Sequence, residues 1–417
     1  MKILILAENL EINRTSSGLR SQKHLIVYQK ICQNIDVVKS TPDHLMYKLS
    51  GINYHHVEEI SIDKYEWINK IPKLGALQNY LFGLGLKNYY QIKKWTLKTE
   101  YLLNKNKYDL VVSLGSGASF ITAYALYYLK KKVDFKHLMF VHDPFPLNQY
   151  PPPMKKKDSL PYKSIAKLFG KVVESADIVS FPSLKLMEWM SNYYPHIKKK
   201  YIIQPHIGMS QAELKPFLPK QQNFEIPLFS KGLNIVHTGS LLSLRSPNYI
   251  IKALQMLFKN KPDSKQIVKL HIIGKINKVW NLDELTSDNV FVSSKRYTYL
   301  ESLQIQQKAE VLLLIEPVSV ISPIMVGKLA DYLVARKPIL ALTPKNSETS
   351  RILGEDYKIL AENGKENEIY SKLELLYNAY LNNSLDDLIP SIKAVNYVSS
   401  EKWLNKLKKL KQNNFNL

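Results

Sequence analysis

Two cations and a carboxylate in the second half of the chain have the types and spacing for chemistry on an anion. Lys328 and Asp331 lie three residues apart in Lys328-Leu-Ala-Asp-Tyr-Leu, on one face of an expected helix. That helix follows a continuous apolar run, Val311 to Ile315, and a short loop holding Pro317, Ser319, Ser322 and Pro323. In parallel sheets the start of such a helix is where anions sit, because free N–H groups and the helix dipole point there. By themselves Lys328 and Asp331 read first as a surface ion pair. Arg245 changes that reading. It stands in His237-Thr-Gly-Ser-Leu-Leu-Ser-Leu-Arg-Ser-Pro, between a second apolar run and a helix opened by Ser246-Pro247. Gly239 lets the backbone of that turn approach a ligand closely, and Ser240 follows it. Arginine offers phosphate two parallel hydrogen bonds. Arg245 and Lys328 are then expected on neighbouring loops at the carboxyl edge of one sheet, where two cations make a diphosphate site that needs no metal.

Other candidates carry less. His142-Asp143 ends an apolar run, where a histidine either donates to a substrate hydroxyl or is a satisfied structural residue. The loop Asn13-Arg14-Thr15-Ser16-Ser17-Gly18 has one glycine where a dinucleotide fingerprint needs three. It reads as a flexible polar loop, or as one that binds an acceptor or phosphate through backbone N–H groups, with Gly18 and, separately, Asp143 as the acceptor-side candidates. Leu270-His-Ile-Ile-Gly274 is read as a structural turn. The chain has no Walker A sequence, no G-x-S-x-G, no H-E-x-x-H and no D-x-D pair. No cofactor and no metal ligand set is therefore expected.

The elements that must position these residues come in two series. A first run of alternating strands and helices starts at residue 2 and ends near 203. Strands are expected near residues 2–7, 36–40, 57–62, 109–114, 137–142, 177–181 and 201–203. Prolines 205, 216, 219 and 227 mark a linker, and a second series begins at Asn234. The expected organisation is an N-terminal Rossmann-like domain over 1–210, a linker over 211–232 and a C-terminal Rossmann-like domain over 233–390. A C-terminal helix over 391–417 packs back, with Trp403, Leu407 and Leu410 on one face. Two successive βα series predict an α/β protein of two Rossmann-like parallel-sheet domains facing a central cleft.

Length allows such a pair: the chain has 417 residues, 45% of them hydrophobic and 23% charged. A single cysteine, Cys32, excludes an internal disulfide. The N-terminus meets Glu8 too early for a signal peptide, and no apolar stretch approaches the roughly 18 residues of a membrane span. A cytoplasmic protein is expected. Net charge is +22, from 58 Lys and Arg against 36 Asp and Glu, and 26 tyrosines lie largely among the lysines. Residues 65–107 combine Trp67, Tyr80, Phe82, Tyr89 and Tyr90 with lysines, as an amphipathic basic surface would. That excess favours polyanions, although the Lys, Ile, Asn and Tyr bias also fits an AT-rich genome.

Together these stretches resemble the GT-B-fold glycosyltransferases, in particular the retaining family 4 type of bacterial polysaccharide assembly. The resemblance rests on His237-Thr-Gly-Ser-Leu…Arg245, His271-Ile-Ile-Gly, Tyr299-Leu-Glu-Ser-Leu, Ala309-Glu-Val-Leu-Leu-Leu-Ile, and Lys328-Leu-Ala-Asp-Tyr-Leu…Lys337-Pro-Ile-Leu-Ala. It covers about residues 233–345; the first half matches in topology only. It implies that Arg245 and Lys328 hold the donor diphosphate and that Asp331 meets the ribose where the family has glutamate. The loop Ser322 to Val326 would bind the donor, with backbone N–H groups from Ser322, Ile324 and Met325 and with Pro323, which has none, shaping it, and His142 would contact the donor sugar. Pro323 stands where the family's first motif glutamate is expected; the nearest carboxylate upstream, Glu316, is placed with Gly239 and Ser240 among the expected donor-binding residues. Ser240 replaces a frequent arginine and Arg336 a frequent glycine.

The implied activity is transfer of a sugar from a nucleotide-diphosphate donor to a glycan or lipid-linked acceptor, with retention and without metal. Such an enzyme could sit peripherally at the anionic inner face of the cell membrane. The alternatives are a sugar-nucleotide 2-epimerase of the same fold, a non-catalytic partner of an active transferase, and a basic nucleic-acid-binding protein. No recognition motif supports the last, and no nucleic acid is expected.

Overall fold

The computed structural model describes residues 1–13, 15–59, 74–115, 119–214, 224–241, 244–277, 285–293 and 295–415. Several expectations fall outside them: Arg14 of the polar loop, Trp67 and the rest of 65–73, the turn residues Ser116 and Gly117, Pro216 and Pro219 of the linker, and Leu242-Ser243 before Arg245.

The chain separates into two compact units. One contains Met1–Tyr150, Met154–Pro205 and Glu401–Leu417; the other contains Pro151–Pro153 and His206–Ser400. Each is built on its own parallel sheet, and the two have the α/β architecture expected of the sequence.

The first sheet has seven strands: β1 (Lys2–Ala7), β2 (Asn34–Lys39), β3 (Ile52–His56), β4 (Leu110–Leu114), β5 (His137–Phe140), β6 (Ile178–Phe181) and β7 (Tyr201–Ile203). Their order is β3-β2-β1-β4-β5-β6-β7, every neighbour parallel. The third strand lies earlier than the apolar pattern at 57–62 predicts. Pairing with β2, Ile35 opposite Ile52 through Lys39 opposite His56, sets its place instead. The continuous apolar runs are explained by burial on both faces: Ile3 to Ala7 and Val111 to Val112 are fully inaccessible.

Around this sheet run α1 (Ser16–Gln29), α2 (Leu74–Phe82), α3 (Leu86–Lys105), α4 (Ile121–Leu129) and α5 (Leu160–Ser175). Helix α2 buries none of its residues. On it Leu77 is 50%, Leu81 58% and Phe82 69% exposed, and on α3 Tyr89 and Leu97 are exposed beside Lys93 and Lys94. Leu77 and Leu81, four residues apart, share one face of α2, so these exposed apolar residues are not scattered singly.

The second sheet holds β8 (Leu233–Thr238), β9 (Val268–Ile273), β10 (Val290–Ser293) and β11 (Val311–Ile315). After a short β12 (Ile321–Ser322) come β13 (Ile339–Leu342), β14 (Asn346–Ser347) and β15 (Leu360–Ala361). The order is β10-β9-β8-β11-β13-β15, with β12 and β14 paired separately. Alternation along the strands divides the interior into two layers. Ile235, Leu313 and Leu340 face a layer containing Leu254 and Leu257 of α6 (Asn248–Asn260). Val236, Leu312 and Leu314 face the layer of α7 (Tyr299–Lys308) and α8 (Gly327–Ala335), with Ile305, Leu329 and Leu333.

In both sheets the strand order reverses beside the first strand of the series, at β1/β4 and at β8/β11. Diverging connections leave a crevice at the carboxyl ends of the strands at such a point.

The last helix, α9 (Ser400–Gln412), belongs with the first unit from Glu401 onward. Trp403, Leu407 and Leu410 are buried, and the Trp403 ring lies 5.1 Å from His24 and 5.2 Å from Tyr28 between centroids.

Candidate functional site

The reversal in the second sheet assembles the cations that the sequence singles out. Strand β8 ends at Thr238, and Gly239 turns away with φ +102. A Cβ at Gly239 would meet Lys328 Cε at 2.6 Å. Glycine is therefore required twice over, by the backbone angle and by the lysine stem crossing the turn. Lys328 lies in the first turn of α8. Val326 precedes that helix and offers its first-turn N–H groups no side-chain cap.

Lys328 does not pair with Asp331. Its Nζ lies 2.9 Å from His237 Nε2, and His237 Nδ1 lies 3.0 Å from the Leu313 carbonyl oxygen. One turn further along α8, Tyr332 Oη accepts the Thr238 N–H at 3.1 Å. Gln306 Nε2 donates to Thr238 Oγ1 at 3.0 Å. The helix that carries Lys328 is thus fastened to the end of β8 at two points, four residues apart. Asp331 is 8% exposed and accepts from Tyr299 Oη at 2.9 Å. Burial and the Asp331 carboxylate push the Tyr299 phenol well above its ordinary pKa.

Arg245 is half-buried in the turn before α6, where the Ser246 hydroxyl accepts the Asn248 N–H at 3.2 Å. Burial lowers the pKa of Arg245, partly offset by Glu316. Burial, then the charge of Arg245, push Lys328 well below the usual lysine value. Among the described residues neither cation makes a salt bridge. Both cations are half-buried and near enough for their charges to repel, and among the described residues no carboxylate is in salt-bridge contact with either. An anion there reverses a repulsion that the protein itself leaves in place.

Glu316, expected near the donor, is engaged within the protein. It is 1% exposed, and the Thr343 and Thr349 hydroxyls donate to Oε1 at 2.9 and 2.5 Å. The Ser322 hydroxyl donates to Oε2, and Asn363 Nδ2 to the backbone carbonyl. Burial raises the Glu316 pKa while these hydroxyls and Arg245 oppose the shift. A carboxylate so saturated anchors its own loop and reaches the crevice only through its field on Arg245. Ser322 spends its hydroxyl on this anchor, and Met325 is buried in the layer beneath α8. Pro323 and Ile324 lie between them, directly ahead of the helix start, and Ser240 is exposed beyond Gly239. Arg336 ends α8 in the left-handed region, φ 55, which explains why glycine suits that position.

In the first unit Gly18 has a structural role. Its N–H is taken by the Thr15 cap at 3.0 Å, and a Cβ would lie 2.2 Å from the Glu11 carbonyl oxygen. His142 is 4% exposed and stacks on Phe140, centroids 5.5 Å apart. Asp143 faces Arg20: burial raises the Asp143 pKa and Arg20 counters it. Arg20 is pushed down to about 10 by burial, against the pull of Asp143 and Glu8. Arg20 Nη2 donates to the Gly115 carbonyl at 3.1 Å, and Glu8 Oε1 accepts the Thr122 N–H at 3.3 Å. Glu8, Arg20 and Asp143 therefore cluster at the β1/β4 reversal. Sequence reasoning names only Asp143; the position of Glu8 at the end of β1 was the available signal. His237 and Tyr299 were likewise quoted in motifs without a role.

No family model matches the chain. The probable glycosyltransferase WbjE of Pseudomonas aeruginosa is 26% identical over 176 residues, 42% of this chain and 40% of that protein. The match thus spans less than half the length of this curated relative. A glycosyltransferase from Rickettsia africae superposes over 99% of this chain and 98% of its own, with TM-score 0.63 and 13% identity. The α,α-trehalose-phosphate synthase (UDP-forming) of Burkholderia xenovorans does so over 99% and 100%, with TM-score 0.64 and 11% identity. Anabaena HepE, solved with UDP and glucose, covers 99% and 100%, with TM-score 0.60 and 10% identity.

The fold is GT-B.

Proposed function

We propose that this chain is a glycosyltransferase that moves a sugar from a nucleotide-diphosphate donor to a hydroxyl of a glycan or lipid-linked acceptor. The observation that carries the reading is the pair Arg245 and Lys328, two poorly solvated cations at the β8/β11 reversal with no salt-bridge partner among the described residues. A diphosphate supplies the missing charge. The likeness to WbjE and to solved glycosyltransferases supports the same class of activity.

In the proposed reaction the anomeric C–O bond to the donor phosphate breaks, and its electron pair stays on the departing diphosphate. Arg245 and Lys328 stabilise that growing charge at fixed distance, in a site where little solvent needs to reorganise. The N–H groups at the start of α8 add to the same field. Asp331, held by Tyr299, is placed three residues along the helix to meet ribose hydroxyls. The acceptor hydroxyl attacks the anomeric carbon, and its proton passes to the departing phosphate. This route retains the anomeric configuration and asks for no separate base carboxylate. Glu316 does not supply one, since its oxygens are occupied by hydroxyls. The cations perform the charge stabilisation for which a D-x-D enzyme uses a metal. His142 and Asp143 remain proposed contacts of the first unit to sugar and acceptor.

HepE has been solved in complex with UDP-glucose, so UDP-sugars head the panel of donors to test here. The exposed apolar and lysine-bearing surface of α2 and α3 suits a lipid-linked acceptor presented at an anionic membrane, which would place the enzyme in cell-surface polysaccharide assembly. Among the described residues no helix is long and apolar enough to cross a membrane.

The test is turnover and nucleotide binding in Arg245→Ala and Lys328→Ala. Each is expected to lose about a hundred-fold or more in kcat/KM while circular dichroism and the melting temperature stay near wild type. Wild-type activity in either variant would overturn the assignment.

A further inference from the structure

We infer that His237 is a positioning residue for Lys328: its ring fixes the ammonium over Gly239 so that the remaining N–H groups face the anion. The inference rests on the reading of Lys328 as a diphosphate contact. It follows from hydrogen-bond logic. The Leu313 carbonyl only accepts, so the His237 Nδ1 at 3.0 Å must carry the proton. A neutral ring with its proton on Nδ1 has a lone pair on Nε2. The lysine Nζ at 2.9 Å is the donor to that lone pair. Lys328 has three N–H bonds; one is committed to His237 and two remain.

The arrangement holds only while the ring stays neutral, and its surroundings ensure this. His237 is 1% exposed. Burial first, then the charges of Lys328 and Arg245, push its pKa well below the ordinary imidazole value. Among the described residues the charged group that acts on the lysine is Arg245, which Glu316 acts on in turn; Tyr332 lies one turn further along α8, bonded to Thr238, and Asp331 is bonded to Tyr299 of α7. None of the described carboxylates makes an ion pair with Lys328, so the imidazole lone pair is the acceptor that holds the ammonium in place. A lysine stem otherwise has four rotatable bonds and no preferred direction. The sequence alone gives His237 no role. The structure gives it the further task.

Two amide variants separate positioning from packing. In His237→Asn the amide nitrogen stands near Nδ1 and keeps the bond to Leu313, but nothing reaches Lys328. In His237→Gln the amide oxygen stands near Nε2 and accepts from the lysine. The measurement is calorimetry at neutral pH with UDP, GDP, ADP, CDP and TDP. It continues with the diphosphate that the wild type binds tightest, set against its nucleoside.

His237→Asn is expected to lose about ten- to a hundred-fold in diphosphate affinity with nucleoside affinity unchanged. His237→Gln is expected to stay within about three-fold of wild type. Loss of the Nε2 acceptor also destabilises the charged lysine, so the alkaline fall in diphosphate affinity should begin at lower pH in His237→Asn than in wild type. Equal losses for nucleoside and diphosphate would reduce His237 to a packing residue, and unchanged affinity in His237→Asn would remove it from the site. Lys328→Ala is the control. If it binds the diphosphate as well as wild type does, or if no diphosphate binds the wild type, the functional reading fails. If Lys328→Ala loses affinity while His237→Asn does not, only the positioning role fails.

Discussion

At the scale of single residues, charge without a partner separates the functional groups from the structural ones. Arg245 and Lys328 sit where water is scarce and no described carboxylate neutralises them. Glu316 is the converse: a buried carboxylate whose oxygens accept three hydroxyls. Truncating it should damage the fold before it damages chemistry. Glu316→Ala leaves Ser322, Thr343 and Thr349 as buried donors without an acceptor, a cost of about 1–3 kcal/mol for such groups. Thermal unfolding should show a clear drop in melting temperature, with Glu316→Gln in between because the amide oxygen still accepts. An unchanged melting temperature in Glu316→Ala would contradict the anchoring role.

At the scale of elements, the helix α8 shows how a local irregularity is tolerated. It is fixed at its start by Lys328 on His237 and one turn later by Tyr332 on Thr238. It ends at Arg336 with φ 55 and ψ 46, where an L side chain costs roughly 1–2 kcal/mol. Arg336 is exposed. Arg336→Gly should therefore stabilise the protein by about 1 kcal/mol, read as a higher denaturation midpoint at unchanged activity. A lower midpoint would mean that the arginine side chain contributes more than its backbone costs. The same helix explains what periodicity reveals and what it does not. The apolar spacing of Leu329, Ala330 and Leu333 marks a helix without reference to the rest of the chain. The direction of Lys328 depends on a histidine 91 positions away.

At the scale of the whole molecule, net charge and buried histidines set the response to salt and pH. With a net charge of +22 and the exposed Leu77, Leu81 and Phe82 on α2, the protein should bind vesicles containing anionic lipid and release as ionic strength rises. Equal binding to neutral vesicles with no salt effect would leave the apolar residues as the sole cause.

Acid should destabilise the fold. His137 is pushed down to about 3, chiefly by burial, and His271 to about 4 for the same reason. Both lie below the value of about 6.5 expected in the unfolded chain. The unfolded state therefore takes up protons first as pH falls. The stability these neutral rings contribute is full above about pH 6.5. It declines by about 1.4 kcal/mol per pH unit for each histidine as far as the folded-state values. Urea midpoints between pH 7 and 5 should follow that slope, and His271→Gln should reduce it by one proton's worth. A flat profile would mean that these rings are protonated in the folded protein.

What could be read from residues alone was what neighbours in sequence decide. The two βα series, the apolar strands and the glycine turn at 239 follow from runs and spacings of a few residues, because burial on both faces of a parallel strand leaves an uninterrupted apolar signature. The pairing of Arg245 with Lys328 was inferred from their places after β8 and β11 and needed only the rule that strand ends share an edge. The third strand escaped, since its position is set by register with β2 rather than by its own pattern. The partners of Glu316 are not legible in sequence because its three hydroxyl donors stand at later positions. The packing of Gly18 is not legible because it depends on the Thr15 cap and the Glu11 backbone. His237 went unassigned because its partners, Leu313 and Lys328, are brought to it only when β8, β11 and α8 pack together. Sequence determined which groups carry charge and at which strand ends they stand. Tertiary structure decided which of those charges are already satisfied, since desolvation and hydrogen-bond partners come from segments far apart in the chain.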